Sequence, residues 1–439
     1  MGTVEPRLLK GFRDFLPAEQ AGRQAMLDAI TRAFEACGFA PLSTPAIEYA
    51  DILLGKYGEE GEKLLYRFRD NGDRDVALRY DLTVPLARVV AQYRDLPRPF
   101  RRYQTGTVWR AEKPAHGRFR EFMQYDADIV GSASPLADAD CIAAGILALQ
   151  GLGLQRFVVR IGHRGVLNAI LTEAGVTEPE AHVAILRTID KLEKIGPGPV
   201  RDLLCEIPGV GLPRAERLLD LLGDGRDPAV LERLEGSQDP AVAQAVAHLR
   251  KVLDVLAAMG FADRVGLDLR IARGLDYYTG TVYETTLPDL PSVGSVMSGG
   301  RYDTLLETYG VPAIPCVGIS IGVDRLFAAL AELGCAPTGA TGPQVVLCML
   351  GETVLADGMR LVADLRRAGI RAESVPDPAA RLKKQIEYAV RRGANRAILL
   401  GEAEAAERRV ALKDLATGEQ ASVAFDDLVG HLRGELAKG

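Results

Sequence analysis

Residues 100–131, FRRYQTGTVWRAEKPAHGRFREFMQYDADIVG, are unusually dense in groups that could do chemistry. Two strand-like stretches, 102–110 and 119–130, flank a loop with Lys113, Pro114, His116 and Gly117, a pattern that predicts a long antiparallel hairpin. Arg110, Glu112, Arg118 and Arg120 crowd its turn. Planar guanidinium groups suit bidentate contact with phosphate. A charged hairpin held by cross-strand ion pairs, each worth roughly 0.2–1 kcal/mol, would use the same residues. Downstream, RIARGLDYYTGTVYE (270–284) sets Arg273 before Gly274, with Asp276, Tyr277 and Tyr278 in a row. If the segment is extended, adjacent tyrosines point to opposite sides and only one faces a given pocket. In SGGRYD (298–303), paired glycines beside an Arg and a Tyr suit close backbone approach to a ligand. VGISIGVDRLFAAL (317–330) reads as a strand passing through Gly322 into a helix, with Arg325 in its first turn. The helix dipole disfavours a cation there, which points to anion binding. LRYDLTVPLAR (78–88) puts Asp81 and Thr83 at alternate positions, hence on one face of a strand.

These segments must be held by a chain of 439 residues, long enough for two to four domains. Apolar residues at 47% and charged residues at 26% exclude a disordered or collagenous chain. A net charge of -6 excludes a globally basic nucleic-acid clamp and leaves room for a local basic face. The six cysteines form no CxxC pair, which argues against zinc and disulfides and suits a reducing cytoplasm. The five histidines are too scattered for an HExxH site. MGTVEPRLLK lacks a signal peptide's apolar stretch, and no apolar run approaches the ~20 residues that span a membrane. A soluble, cytoplasmic protein with neither membrane nor DNA as partner is expected.

The clearest boundary is GCAPTGATGP at 334–343, read as an exposed linker. Beyond it, 344–439 alternates between strand and helix patterns: strands at 345–350, near 370–375 and at 397–400, helices at 354–368 and 379–392. Two strands around TGE and a last helix over 426–437 follow, and together they predict a small α/β domain. Its second helix concentrates Arg381, Lys383, Lys384, Arg391 and Arg392, with Leu382, Ile386, Ala389 and Val390 as an apolar stripe. Residues 176–258 show only helical periodicity, broken by GPGP at 196–199 and IPGVGLP at 207–213, and read as an all-α insertion. It interrupts a discontinuous domain of mixed helices and strands, 1–175 with 259–333. The expected class is therefore a multidomain α+β protein.

The hairpin with Arg110 and Glu112, the GVDRL helix, and the helix over 21–36 leading into GFAPLSTPAIE resemble the three motifs of class II aminoacyl-tRNA synthetases. RGLDYY and SGGRYD look like the two signature peptides of the histidyl-tRNA synthetase family. With LRYDLT and the C-terminal α/β domain, the match covers essentially the whole chain in family order. The resemblance implies an antiparallel-sheet catalytic core, with Pro45 at a dimer interface, and a C-terminal domain that reads the anticodon. It implies activation of L-histidine with ATP to histidyl-adenylate and pyrophosphate, then transfer of histidine to the 3′-terminal adenosine of tRNA(His). Charge accumulating on the α-phosphate would be met by preorganised cations.

By the same resemblance, Arg110 and Arg273 flank the α-phosphate and are the catalytic pair, Arg273 also lying near the substrate carboxylate. Glu112 binds the adenine amino group, Arg118 the γ-phosphate, Phe122 one adenine face, and Arg325 the other face and the phosphates. Asp128 and Tyr278, with Tyr277 beside it, match the imidazole contacts. Asp81, Thr83 and Gln124 match those to the α-amino group. Asp stands at 81 and 128 where many bacterial members carry Glu. Mg²⁺ is expected with ATP, its protein ligands unknown. A regulatory paralogue without activity is weighed against this reading; such chains usually lack the anticodon-binding domain and the signature arginine, both present here. His163 receives no role, and Trp109 is assigned to hairpin packing.

Overall fold

The computed structural model describes residues 3–54, 64–113, 119–271, 277–339 and 341–436. The chain forms two compact units, 1–15 with 22–337, and 16–21 with 338–439. Strands of the larger unit are β1 (Ala40–Pro41), β2 (Ile47–Tyr49), β3 (Arg67–Arg69), β4 (Asp75–Leu78), β5 (Phe100–Trp109) and β6 (Glu121–Val130). They continue with β7 (Val158–His163), β8 (Val265–Leu267), β9 (Thr281–Thr286), β10 (Met297–Arg301) and β11 (Cys316–Gly322). Eight of these form one sheet in the order β1-β5-β6-β11-β10-β9-β7-β8, and β2-β4-β3 form a second. In the large sheet the neighbours are antiparallel except β1 with β5 and β7 with β8.

The β5–β6 hairpin pairs in continuous register from Phe100↔Val130 to Trp109↔Glu121. At its loop end Trp109 Nε1 donates to Glu121 Oε2 at 2.7 Å, so the indole serves the hairpin. Period-two alternation divides β6 between two environments. Tyr125, Ala127 and Ile129 enter the main core together with apolar positions of helices Pro17–Ala36 and Pro135–Gly151. Gln124, Asp126 and Asp128 occupy the opposite face. Helix Pro135–Gly151 begins at Ser134, whose side chain accepts the Leu136 N–H at 3.2 Å, with Pro135 in the first turn.

Between β7 and β8 every regular element is helical: Arg164–Glu173, Pro179–Ile189, Leu192–Ile195, Pro197–Cys205, Gly211–Leu222, Ala229–Glu235 and Pro240–Ala258. Helix thus begins at Arg164, ahead of the stretch whose sequence is purely helical, because His163 ends β7 as a cap. Its Nδ1 accepts the Gly165 N–H at 3.1 Å. The GPGP and PGVG stretches each open a new helix. Their proline or glycine sits in the first turn, where a missing N–H or an unusual φ is tolerated.

Two local readings are corrected. Asp81 and Thr83 do not lie on a strand: Thr83 opens helix Thr83–Gln92, and Asp81 Oδ1 accepts the Val84 N–H at 3.1 Å. An Asp side chain bonding a helix-entry amide competes with strand pairing. Tyr277 and Tyr278 do not splay apart. A turn at Tyr277 brings their ring centroids to 5.1 Å in an edge-to-face pair, and Tyr277 also packs edge-on against Tyr302 at 5.7 Å.

The second unit contains β12 (Val345–Met349), β13 (Ala372–Ser374), β14 (Arg396–Leu400), β15 (Arg409–Asp414) and β16 (Gln420–Ala424), in the order β13-β12-β14-β15-β16. The first three are parallel and the last two antiparallel. Helices Leu355–Arg367, Leu382–Arg391 and Leu428–Leu436 supply its longer helical elements. In the basic helix the buried stripe differs from the apolar one. Val390 is 56% exposed, while Gln385 is buried, donating to Met349 O at 2.7 Å and accepting from Met349 N at 2.9 Å. An amide that matches a strand's own donor and acceptor satisfies both groups at once.

Arg301 at the end of β10 is wholly committed to the fold. It pairs with buried Asp138, donating Nε to Oδ1 at 3.1 Å, and gives Nη1 to Ser132 O at 2.9 Å. Arg301→Ala would leave that carboxylate without its cation, and urea unfolding should show a loss of about 3–5 kcal/mol. A loss below about 1 kcal/mol, the size of an exposed pair, would show that the pair is not what holds β10 to helix Pro135–Gly151.

Candidate active site

The open face of the large sheet carries the chemistry. Register aligns Arg102, Gln104 and Gly106 of β5 with Asp128, Asp126 and Gln124 of β6, then with Gly318, Ser320 and Gly322 of β11. Gly300 and Ser298 of β10 continue the rows. Glycine recurs because larger groups need the space. A Cβ at Gly318 would collide with Asp128 Oδ1, one at Gly300 with the Tyr278 ring, and one at Gly106 with the Arg79 guanidinium. Arg79 uses that room to donate Nε to Thr107 O at 3.0 Å and Nη1 to Thr44 O at 2.7 Å, tying the segment before β2 to the hairpin.

At one end, Asp128 is enclosed. Tyr302 Oη donates to its Oδ1 at 2.5 Å, and Arg102 Nη2 lies 2.6 Å from its Oδ2, an ion-pair contact outside hydrogen-bond alignment. Arg102 is 0% exposed, and its Nη2 also donates to Leu82 O at 3.2 Å. Asp126, beside Asp128 on the same face, is 1% exposed and its Oδ1 has no partner. Burial pushes its carboxyl up to about 7, and the Asp128 charge adds to that although Arg102 opposes it. Burial raises Asp128 as well. Tyr278 is raised by burial and by the charges of Asp126, Asp128, Asp81 and Glu284. Acceptors without donors recur along the face, at Gln124 Oε1, Asp126 Oδ1 and Gln104 Oε1. Arg102 Nε and Nη1 are buried donors without partners beside them, but the carboxyls and unpaired acceptors outnumber these, so the ligand this end suits is a cation rich in N–H groups.

Toward the start of β6 the character reverses. Phe122 lies under the Arg110 guanidinium, 5.1 Å from the ring centroid, and Arg110 Nε is held by Tyr80 O at 3.1 Å. Glu112 follows Arg110, and its backbone carbonyl accepts Arg120 Nε at 3.0 Å, so Arg120 stitches the hairpin. Arg325 leaves the first turn of helix Val323–Glu332 and donates Nη1 to Ser295 O at 2.6 Å. Its neighbour Asp324 fixes that turn. Asp324 takes the Met123 N–H at 2.7 Å and pairs with Arg13 and Arg23, which stack on Phe119 and Phe15 respectively.

The structure therefore brings together Asp81, Gln124, Asp128 and Tyr278, with Tyr277 packed behind Tyr278 and Thr83 at the helix entry. It brings Arg110 to Phe122, with Glu112 two residues further along the chain. Arg118 and Arg273 lie outside the described residues. The sequence pattern did not single out Arg102, Gln104 or Asp126, and gave Tyr302 of SGGRYD no specific role. Strand alternation could have found Asp126, midway between Gln124 and Asp128. Arg102 required the register of the hairpin, and Tyr302 the crossing of β10 and β11.

The chain resembles known proteins along nearly its whole length. The profile of the histidyl-tRNA synthetase family matches residues 11–326, and that of an anticodon-binding domain matches 344–435. The histidine–tRNA ligase of Rhodopirellula baltica is 40% identical over 429 residues, 96% of each chain, and that of Wolinella succinogenes 41% over 426 residues, 95% of each. The crystal structure of histidyl-tRNA synthetase from a Nostoc species superposes with a TM-score of 0.85 at 33% identity, covering 99% of this chain and 100% of that one. A Bacillus halodurans structure described as an ATP phosphoribosyltransferase regulatory subunit/histidyl-tRNA synthetase follows at 0.75 and 25%, covering 91% and 99%. An antiparallel sheet bearing this site, followed by an anticodon-binding domain, defines an aminoacyl-tRNA synthetase, an enzyme of the ligase class. The chain belongs to the histidyl-tRNA synthetase family.

Asp126 offers a test of the pocket's charge. Its carboxyl is raised in the folded state, so its stabilising contribution is complete below about pH 4, the ordinary Asp value, and is lost as pH rises through about 7. Asp126→Asn should flatten the fall of ligand-free stability between pH 4 and 7 and unfold at a higher temperature than the parent at pH 8. Parallel Tm-against-pH curves for the two proteins would mean that Asp126 titrates normally.

Proposed function

We propose that the chain joins L-histidine to tRNA(His): a histidine carboxylate oxygen attacks the α-phosphorus of ATP, pyrophosphate leaves, and the 3′-terminal adenosine hydroxyl then displaces AMP. The observation that carries the reading is the ordering of the β6 face. Acceptors and carboxylates gather at Asp128 and Asp126, Gln124 lies between, and an aromatic ring with a guanidinium above it lies at Phe122. From Asp128 to Phe122 the strand rises roughly 20 Å, enough to lay an amino acid and a nucleotide end to end.

In this reading Asp128, oriented by Tyr302 and Arg102, accepts an imidazole N–H while the Tyr278 hydroxyl serves the ring's other polar edge. Asp81, Thr83 and Gln124 receive the α-ammonium group. Buried acceptors left unpaired by another side chain reject it, by about 10⁴–10⁵ in favourable cases. Arg110 and Arg273 hold the α-phosphate and stabilise its developing charge, with Arg273 near the carboxylate nucleophile. Phe122 and Arg325 take the two faces of adenine, Glu112 its amino group, and Arg118 the γ-phosphate. Among the described residues no three His, Cys, Asp or Glu side chains gather to hold a metal. Mg²⁺ would arrive bound to nucleotide phosphates and need at most one or two carboxylates. It would neutralise phosphate charge.

The same reading extends to partners. Ile47, Tyr49 and Phe68 share one face of the three-stranded sheet and are exposed large apolar residues close to Pro45. Such a face supports pairing with a second copy of the chain. No described helix is long and apolar enough to cross a membrane. The exposed cations of helix Leu382–Arg391, with the sheet edge beside it, suit the phosphates of an anticodon loop, a contact that weakens steeply with salt. The helical block is proposed to meet the acceptor stem.

ATP–pyrophosphate exchange with histidine, proline, threonine and glycine tested separately should respond to histidine alone, and Arg273→Ala should lower it by about 10²–10³-fold or more in a folded protein. Exchange with another amino acid would overturn the pocket assignment, and none at all would favour a regulatory paralogue. Tyr278→Phe removes one hydroxyl and should raise the histidine KM about tenfold. An equal rise in the ATP KM would count against an imidazole contact.

A further inference from the structure

Two of the polar contacts between the helical block and the remainder of its unit end on peptides that border the site. The first joins the loop after helix Gly211–Leu222 to the chain following β8. Asp268, 4% exposed, is paired with Arg226 from the loop at 3.0 Å and with Arg270 at 2.9 Å. Burial works against ionisation there, yet the two guanidiniums hold the carboxyl below the ordinary Asp range. Leu269 N donates to Gly225 O at 2.7 Å. Gly225 has φ +71°, and a Cβ on it would press into the Arg270 stem. This close approach needs glycine on both counts. The second attachment is on helix Pro240–Ala258. His248 Nε2 lies 3.3 Å from Asp138 Oδ2, the carboxylate that holds Arg301, a contact outside hydrogen-bond alignment, while its ring packs 5.5 Å from that of His163.

What these attachments hold is specific. Arg270 stands three positions before Arg273, in the segment that continues to Tyr277 and Tyr278. Arg301 directly precedes Tyr302, the residue that orients Asp128. We infer that the helical block is a positioning element for the amino-acid pocket. Arg226, through Asp268 and Arg270, sets residues 268–271, which lead along the chain toward Tyr277 and Tyr278, and His248, through Asp138 and Arg301, sets the β10 edge that carries Tyr302. A partner that shifts these helices therefore alters the pocket without touching its ligand. The inference rests on the proposed activity and adds to it a role for residues that contact neither substrate.

Arg226 is the better probe because its side chain is 39% exposed and Arg270 still pairs with buried Asp268 when it is removed. Arg226→Ala should lower kcat for histidine-dependent pyrophosphate exchange by about 10–100-fold, the effect of a sub-ångström to one-ångström displacement of a reacting group. The ATP KM and the thermal midpoint should stay near the parent's, and Arg226→Lys should recover part of the rate. His248→Gln should raise the histidine KM and leave the ATP KM alone. Parent-like kinetics in folded Arg226→Ala, or an activity loss matched by an equal loss of folded protein, would reduce the attachment to a purely structural one. Failure of the parent protein to exchange with histidine is a separate result and would count against the activity itself.

Discussion

A single guanidinium, sealed inside the sheet and facing two carboxylates, is the constraint on which the rest of the larger unit depends. Arg102 is fully buried against Asp128 and within electrostatic reach of Asp126, so its one charge bears on both carboxyls. Burying an ion is costly unless it is paired, and the arrangement stands only while its neighbours keep water out. Leu82 contributes a carbonyl, Tyr302 a hydroxyl, and the glycines of β10 and β11 contribute space. In the proposed reading, the charge imbalance left over is what selects the ligand. With no ligand, burial favours protonated carboxyls; a cationic ligand favours ionised ones. Fold and recognition thus draw on one excess of acceptors.

At the other end of β6 the polarity is opposite, and different scaffolding holds it. Arg110 is fixed by a carbonyl and an aromatic ring, and Arg325 by a carbonyl and a helix turn that Asp324 ties to Met123, Arg13 and Arg23. Each guanidinium is oriented before any anion arrives. Catalysis gains from such groups because their reorganisation is complete before charge develops. Along one strand the site therefore passes from anionic to cationic, the order in which an amino acid and a nucleoside phosphate present their charges.

Much of this was legible in the chain. The hairpin, the glycine before the Arg325 helix and the strand–helix alternation beyond residue 343 are carried by local periodicity and turn residues, and those survive folding nearly unchanged. Other readings failed where a local rule met a competing contact. Asp81 caps a helix instead of lying on a strand. Tyr277 and Tyr278 pair edge to face because a turn replaces extension. Gln385 replaces Val390 inside because a strand's donor and acceptor needed partners. Each is a case in which hydrogen bonding or ring packing outweighed simple alternation.

The sequence by itself determined which residue types could do the chemistry, where the elements begin, and the family whose motif order the chain follows, because those depend on neighbours a few positions apart. Only the tertiary structure decided that Arg102 faces Asp128, that Tyr302 rather than Arg301 serves the pocket, and that Arg226 and His248 reach peptides bordering the site. Those pairings join residues from 26 to 174 positions apart along the chain. No local pattern specifies them; sheet register and the packing of the helical block do.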